Sequence, residues 1–276
     1  MRKLILKMSM SLDGFVGGPN GEVDWIFPSM DQGATTWTLE TVWRAGFHVM
    51  GRKTFHDMAS FWPYSAEPFA APMNAIPKLV FSEHELAAAQ LTTAFETASA
   101  ARKDKRKLSD EEVKANLESW KAPSVASDLA GEIARRKQEP GKDLVAYGGA
   151  SFAQSLVKLG LVDEYRFLMH PVVLGRGLSL FSVLSEPKPL KLLSSTTFPS
   201  GAVANIFVPW LPKQPLSQSS PRRRVIQPFH RDESAARHRT FNAVQPDSYI
   251  PPHRHFDPPK AESWIALRGA LAFFLG

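Results

Sequence analysis

Over its first 210 residues the chain switches repeatedly between two hydrophobic periods. Leu4–Met10 (LILKMSM) begins as an apolar run and then alternates, which predicts a strand. Short apolar or β-branched runs at Phe47–Met50, Lys78–Phe81 and Asp143–Tyr147 predict three more strands. Asp163–Val173 and Leu190–Val208 predict further strands, with a break near Pro199-Ser-Gly201. Helical spacing falls between them, at Thr38–Gly46, Ser127–Lys137 and Ser151–Leu159. Strands and helices in alternation imply an α/β domain with a sheet covered on both faces. The stretch Ala98–Lys121 is dense in charge with sparse apolar positions, and reads as a solvated helical insertion without a binding role. From Pro209 to Pro221 the pattern lapses into a Pro/Ser-rich stretch with little to bury, a linker.

Composition adds exclusions. The 276 residues are 43% hydrophobic and 22% charged and include no cysteine. This is a globular composition, without disulfides, thiolate metal sites or a Cys nucleophile. No apolar run is long enough for a membrane span, and Lys7, Ser9 and Asp13 interrupt any signal-peptide core, so a cytoplasmic protein is expected. The net charge of +6 is unevenly placed. Residues 1–210 carry 23 Lys+Arg against 22 Asp+Glu, and residues 211–276 carry 10 against 5. Four of the eight histidines also lie in the tail. The imbalance argues for two joined parts rather than for a nucleic-acid-binding surface, since no recognised module accompanies it.

Three signals in the first part carry chemistry. Tyr147-Gly148-Gly149-Ala150-Ser151 follows an apolar strand and opens a helix, where paired glycines let backbone N–H groups approach a pyrophosphate. Gly-Gly also serves simply to turn a chain. Met50-Gly51-Arg52-Lys53-Thr54 places two cations and a hydroxyl at a strand end, a set suited to a phosphate monoester such as the 2′-phosphate of NADP. An ordinary basic first turn is the alternative, although cations there oppose the helix dipole. Ser9-Met-Ser-Leu-Asp13-Gly14 and the Gly-rich loop to Asp24-Trp25 either fold over a ligand or form an exposed loop in which Asp13 bonds its own backbone.

SLDG, MGRKTF, PKLVFS and YGGASFAQSLVKLGLVDEYRFLMHPVVLGRGLSLF occur in this order, and together they resemble the dihydrofolate-reductase-like family that includes the C-terminal reductase domain of the bacterial riboflavin-biosynthesis enzyme RibD. The resemblance covers residues 1–208 apart from the charged insertion. It implies a mixed sheet flanked by helices and NADP(H) held by Gly51, Arg52, Lys53, Thr54, Gly148, Gly149, Ala150 and Ser151, with Ser82 at the adenosine phosphate. The implied chemistry is hydride transfer to a C=N or C=O carbon of a small pterin- or pyrimidine-like substrate. Asp24 is the nearest candidate for the orienting carboxylate, and Trp25 would offer a flat heterocycle an aromatic face. An Asp-Trp pair serves equally as a loop residue beside a core anchor. Phe61-Trp62-Pro63-Tyr64 reads as core packing. Dimerisation is a further expectation from the resemblance.

The tail, residues 222–276, holds His253-Arg-His255 and Glu262. Residues two apart on a strand share a face, so the two imidazoles and a returning carboxylate would form a divalent-metal site. With Ser220-Pro-Arg-Arg-Arg224, Phe229-His230, Arg239-Thr-Phe-Asn242 and Pro246-Asp-Ser-Tyr-Ile250, the stretch resembles WbuC-type cupins of polysaccharide gene clusters. The second cupin motif is missing, so the expected architecture is an incomplete, cupin-like β segment. Two other functions compete with the reductase: a metal- and sugar-binding protein working through this tail, and a non-catalytic nucleotide-binding module.

Overall fold

A computed structural model describes residues 1–83 and 108–210 and the backbone of two strands, Arg224–Pro228 and Thr240–Val244. The chain divides into two compact units, Met1–Trp210 and Leu211–Gly276. In the first unit, eight strands form one sheet: β1 (Leu4–Ser11), β2 (Ala45–Gly51), β3 (Lys78–Phe81), β4 (Ser124–Ala126), β5 (Asp143–Tyr147), β6 (Glu164–His170), β7 (Leu190–Thr197) and β8 (Val203–Pro209). Their spatial order is β4-β3-β2-β5-β1-β6-β8-β7. The first six run parallel, and the β7–β8 hairpin joins antiparallel at one edge, so the sheet is mixed. In the second unit, β9 (Arg224–Pro228) pairs antiparallel with β10 (Thr240–Val244).

The helices are α1 (Gln32–Trp43), α2 (Arg52–Ala59), α3 (Ala70–Ala75), α4 (Asp110–Lys121), α5 (Leu129–Gln138) and α6 (Ala150–Lys158). Alternate residues of the central strands feed two cores, as parallel strands covered on both faces require. Leu4, Leu6 and Met8 pack with Leu144 and Phe167 under Ile133 of α5 and Leu156 of α6. Ile5, Met50 and Val145 pack with Val42, Phe55, Met73 and Trp120 of α1 to α4.

Several elements depart from the sequence reading. Helix α1 starts earlier than Thr38 because Asp31 caps it, accepting from Ala34 N–H at 2.8 Å. The short strand Ser124–Ala126 precedes the helix expected from Ser127, and Asp128 caps that helix through Gly131 N–H. The charged insertion also needs correcting. Residues 98–107 lie outside the described set, but Asp110–Lys121 is packed rather than merely solvated. Its capping box, Ser109 with Glu112, starts a helix that buries Val113 and Trp120. The Trp120 indole donates to Asn74 Oδ1 at 2.8 Å and lies 4.3 Å beneath the Lys78 ammonium. Two apolar residues on one side of a polar helix suffice to dock it. Pro63 and Tyr64 are buried and Trp62 packs against the same core, as expected of the aromatic cluster.

Candidate functional site

The site lies where the parallel strands end. Of the adjacent strands β2 and β5, the first finishes in Gly51 and the second is followed by Gly148 and Gly149, and their following helices leave on opposite faces, α2 on one and α6 on the other. The chain thereby opens a crevice between the two helix N-termini. Gly148 and Gly149 adopt φ of 48° and 66°, in the left-handed region that favours glycine. A Cβ on Gly149 would stand 2.5 Å from Thr54 Oγ1, and one on Gly51 3.3 Å from Phe152 Cβ. The two turns singled out from sequence, nearly a hundred residues apart, are therefore interlocked. Thr54 is buried, Arg52 half-buried, and Lys53, Gly149 and Ser151 exposed.

Helix capping distinguishes these two helices from three others. α1, α4 and α5 have side-chain caps, whereas α2 and α6 begin at Gly51 and Gly149 with neither a side-chain cap nor an acidic residue in the first turn. Their first backbone N–H groups thus remain available to an anionic ligand, and the helix dipoles favour one. The glycine cradle that a Cβ would fill and the cations at Arg52 and Lys53 fit a dinucleotide phosphate backbone. Ser82 follows β3, half-buried, with its N–H donating to Ala126 O at 3.0 Å.

Beside this crevice, on the α1 side of the sheet, lies a polar group that the sequence reading missed. Lys7 of β1 is in register with Tyr147 of β5 and Arg166 of β6. It is half-buried, and its ammonium has no hydrogen-bond or ion-pair partner among the described residues. Burial lowers its pKa to about 8. The Tyr147 hydroxyl, Thr38 Oγ1 and His170 Nε2 are all buried without a partner. Burial pushes the Tyr147 phenol up, keeping it protonated. Burial, and secondarily the Lys7 ammonium, lowers His170 to about 4, keeping it neutral. One sequence signal pointed here: Lys7, Ser9 and Ser11 are alternate polar residues on one face of a central strand, where apolar ones are the norm.

The segment Asp24–Ser29 forms a short 3-10 helix. Ser29 Oγ lies 2.7 Å from His170 Nδ1, and the Trp25 ring meets the His170 ring edge-on at 5.5 Å. Trp25 Nε1 donates to Glu22 O at 2.9 Å. Asp24 is exposed at the start of this helix. Asp13 bonds across the molecule rather than only to its own loop. It accepts from Leu174 and Gly175 N–H and from the Ser11 hydroxyl, tying the Gly-rich loop to the segment after β6. The Ser11 hydroxyl, followed by those N–H groups, holds the Asp13 carboxyl below its usual range.

His253, His255 and Glu262 lie outside the described residues. Among the described residues, no group of three His, Asp or Glu is placed to hold a metal. No described helix is long and apolar enough to cross a membrane.

The fold is that of an α/β protein with a mixed sheet, and two glycine turns meet at the carboxyl ends of its parallel strands. More narrowly, residues 2–204 match the RibD C-terminal domain, and the chain belongs to that family. Residues 215–275 match a separate model, a domain of unknown function (DUF6016). The chain is 30% identical over 208 residues to the uncharacterized protein YyaP of Bacillus subtilis (strain 168), covering 75% of this chain and 94% of that one. It is 25% identical over 205 residues to YwjB of the same organism, covering 71% and 92%. A solved structure from Shewanella sp. PV-4, named for riboflavin biosynthesis, has the same fold with a TM-score of 0.52 at 20% identity, covering 76% and 99% of the two chains.

Proposed function

We propose that the first unit is an NADPH-dependent reductase that delivers a hydride to a C=N or C=O carbon of a small heterocyclic substrate. One observation carries this reading: the interlock of Thr54 with Gly149 sets two uncapped helix N-termini against one crevice, next to the partnerless groups of Lys7, Thr38, Tyr147 and His170. NADPH supplies the hydride from its nicotinamide C4. The chain supplies position and charge. Gly148 to Ser151 present backbone N–H groups to the diphosphate, Arg52, Lys53 and Thr54 hold the 2′-phosphate, and Ser82 lies at the adenosine end. Trp25 covers the substrate and excludes water, with Asp24 at the rim.

Reduction leaves negative charge on the substrate nitrogen or oxygen. Lys7, between Tyr147 of β5 and Arg166 of β6, has a pKa of about 8 and can supply the required proton near neutrality. Tyr147 retains its proton and stabilises the same charge by donating a hydrogen bond. NADPH titration of the full chain, followed by cofactor fluorescence, tests the assignment. Arg52→Ala is expected to weaken NADPH, but not NADH, by about 1.5–3 kcal/mol, the value of a charge-assisted phosphate contact. Equal affinities in the two proteins would overturn the phosphate assignment. Lys7→Met is expected to bind NADPH normally and to lose about a hundredfold or more in turnover.

A further inference from the structure

Lysine is among the residues least often buried, and a buried ammonium ordinarily keeps a carboxylate beside it. Lys78 breaks both rules. It is 2% exposed, and its Nζ donates to two neutral oxygens, Asn74 O of α3 and Ser119 Oγ of α4, each at 3.0 Å, above the face of Trp120. Those acceptors are themselves fixed. Asn74 accepts from the Trp120 indole and donates to Trp62 O at 3.1 Å, and Ser119 donates to Asn116 O at 2.9 Å. A neutral amine still has N–H groups for both bonds, so the extra proton adds an attraction to the indole and the cost of burying a charge. The cost prevails, since burial brings the lysine down to about 7.

Few ionisable groups face this ammonium. His48, its register partner on β2, is lowered by burial to about 4 and stays neutral. Helix α3 and strand β4 carry none. On α4, Glu118 and Lys121 pair with each other at the surface, Lys114 is exposed, and Asp110, Glu111 and Glu112 lie about two turns away from Ser119. The 3-10 turn Trp62–Tyr64 adds the phenol of Tyr64. Helix α2 reaches Trp120 through Phe55; its charged residues are Arg52, Lys53 and Asp57, and burial lowers its His56 below the ordinary histidine range.

We propose that Lys78 is a proton-sensitive latch: with its amine neutral it holds α4 closed on α3 and β3, and protonation favours a locally opened state in which α4 lifts and the ammonium reaches water. The latch is independent of the reductase reading, but it borders the candidate site. Two residues separate α4 from β4, and Ala126 at the end of β4 accepts from Ser82 N–H. The lysine titrates at about 10.4 when opened to water and at about 7 when closed. The opening constant is therefore highest below about pH 7 and falls about tenfold per pH unit from there to about 10.

The chain has no cysteine, so Val113→Cys places a single thiol beneath α4, at a position 4% exposed. Its labelling by an aromatic disulfide, divided by the rate for the same chain unfolded in urea at the same pH, reads the opening constant. That constant is expected to fall about a hundredfold from pH 7 to 9. In Lys78→Met and Lys78→Arg, neither of which loses a proton in this range, the slope is expected to vanish. An opening constant that does not change with pH in the Lys78 chain overturns the latch, as does the same slope in either variant. Labelling no faster than global unfolding allows, measured by urea denaturation at each pH, also overturns it, because α4 then does not open by itself. Lys7, lowered to about 8 on β1, contributes to the global comparison and not to the local one. Should neither variant fold, the slope of local labelling in the Lys78 chain decides alone.

Discussion

Replacing Gly149 with alanine probes the interlock on which the site depends. The added methyl meets two separate penalties. The first is conformational: at φ 66° an alanine costs about 1–2 kcal/mol relative to glycine. The second is steric: the new Cβ would lie 2.5 Å from Thr54 Oγ1, inside contact distance, while Thr54 Cβ at 3.8 Å is an ordinary neighbour. Thr54 is buried and cannot simply swing into solvent, so relieving this overlap costs about 1–3 kcal/mol of local overpacking. The two penalties separate in a double-mutant cycle. Gly149→Ala is expected to destabilise the chain by about 2–5 kcal/mol in urea unfolding. In a Thr54→Ala background, where the oxygen is gone, the same change is expected to cost only the conformational 1–2 kcal/mol or so. A coupling energy near zero would refute the interlock, because two turns that do not touch have additive effects. A Gly149→Ala that is neutral alone would refute the left-handed turn as well.

Other consequences are independent of that cycle. Burial lowers both His48 and His170 to about 4, so each stays neutral in the fold while the unfolded chain takes up a proton below about 6.5. Stability is therefore expected to fall as pH drops from about 6.5 to 4, by on the order of 3 kcal/mol for His48 alone; a flat urea midpoint over this range would contradict the neutral, buried imidazoles. Lys78 is lowered by burial to about 7 and Lys7 to about 8, so stability is expected to rise with pH from about 7 to 10, and Lys78→Met should remove the part of that slope below about 8 and reduce the rest. Trp120→Ala removes a fully buried indole along with its hydrogen bond to Asn74, and is expected to cost about 3–5 kcal/mol. A loss below 1 kcal/mol would return α4 to the status of a solvated appendage.

How far the sequence carries can be followed residue by residue. The α/β class, the strands at Lys78–Phe81 and Asp143–Tyr147 and the glycine turns were legible because each depends on local spacing: a period of two, a run of apolar residues, or a Gly-Gly where a strand must turn into a helix. The start of α1 was missed because Asp31 supplies its cap ahead of any apolar periodicity. The docking of α4 was missed because Trp120 finds Asn74 and Lys78 only across the fold, and a helix with two buried residues looks solvated from within.

The same division runs through the site. Gly51, Arg52, Thr54, Gly148 and Gly149 announced themselves in sequence, since backbone conformation and helix starts are local properties. Their contact did not, because strand order alone makes β2 and β5 neighbours. Lys7, Thr38, Tyr147 and His170 lie on four elements, and each has an ordinary reading by itself. Only tertiary structure buries them on one side of the sheet and leaves them partnerless, because burial and the absence of a partner are properties of surroundings that no single segment contains.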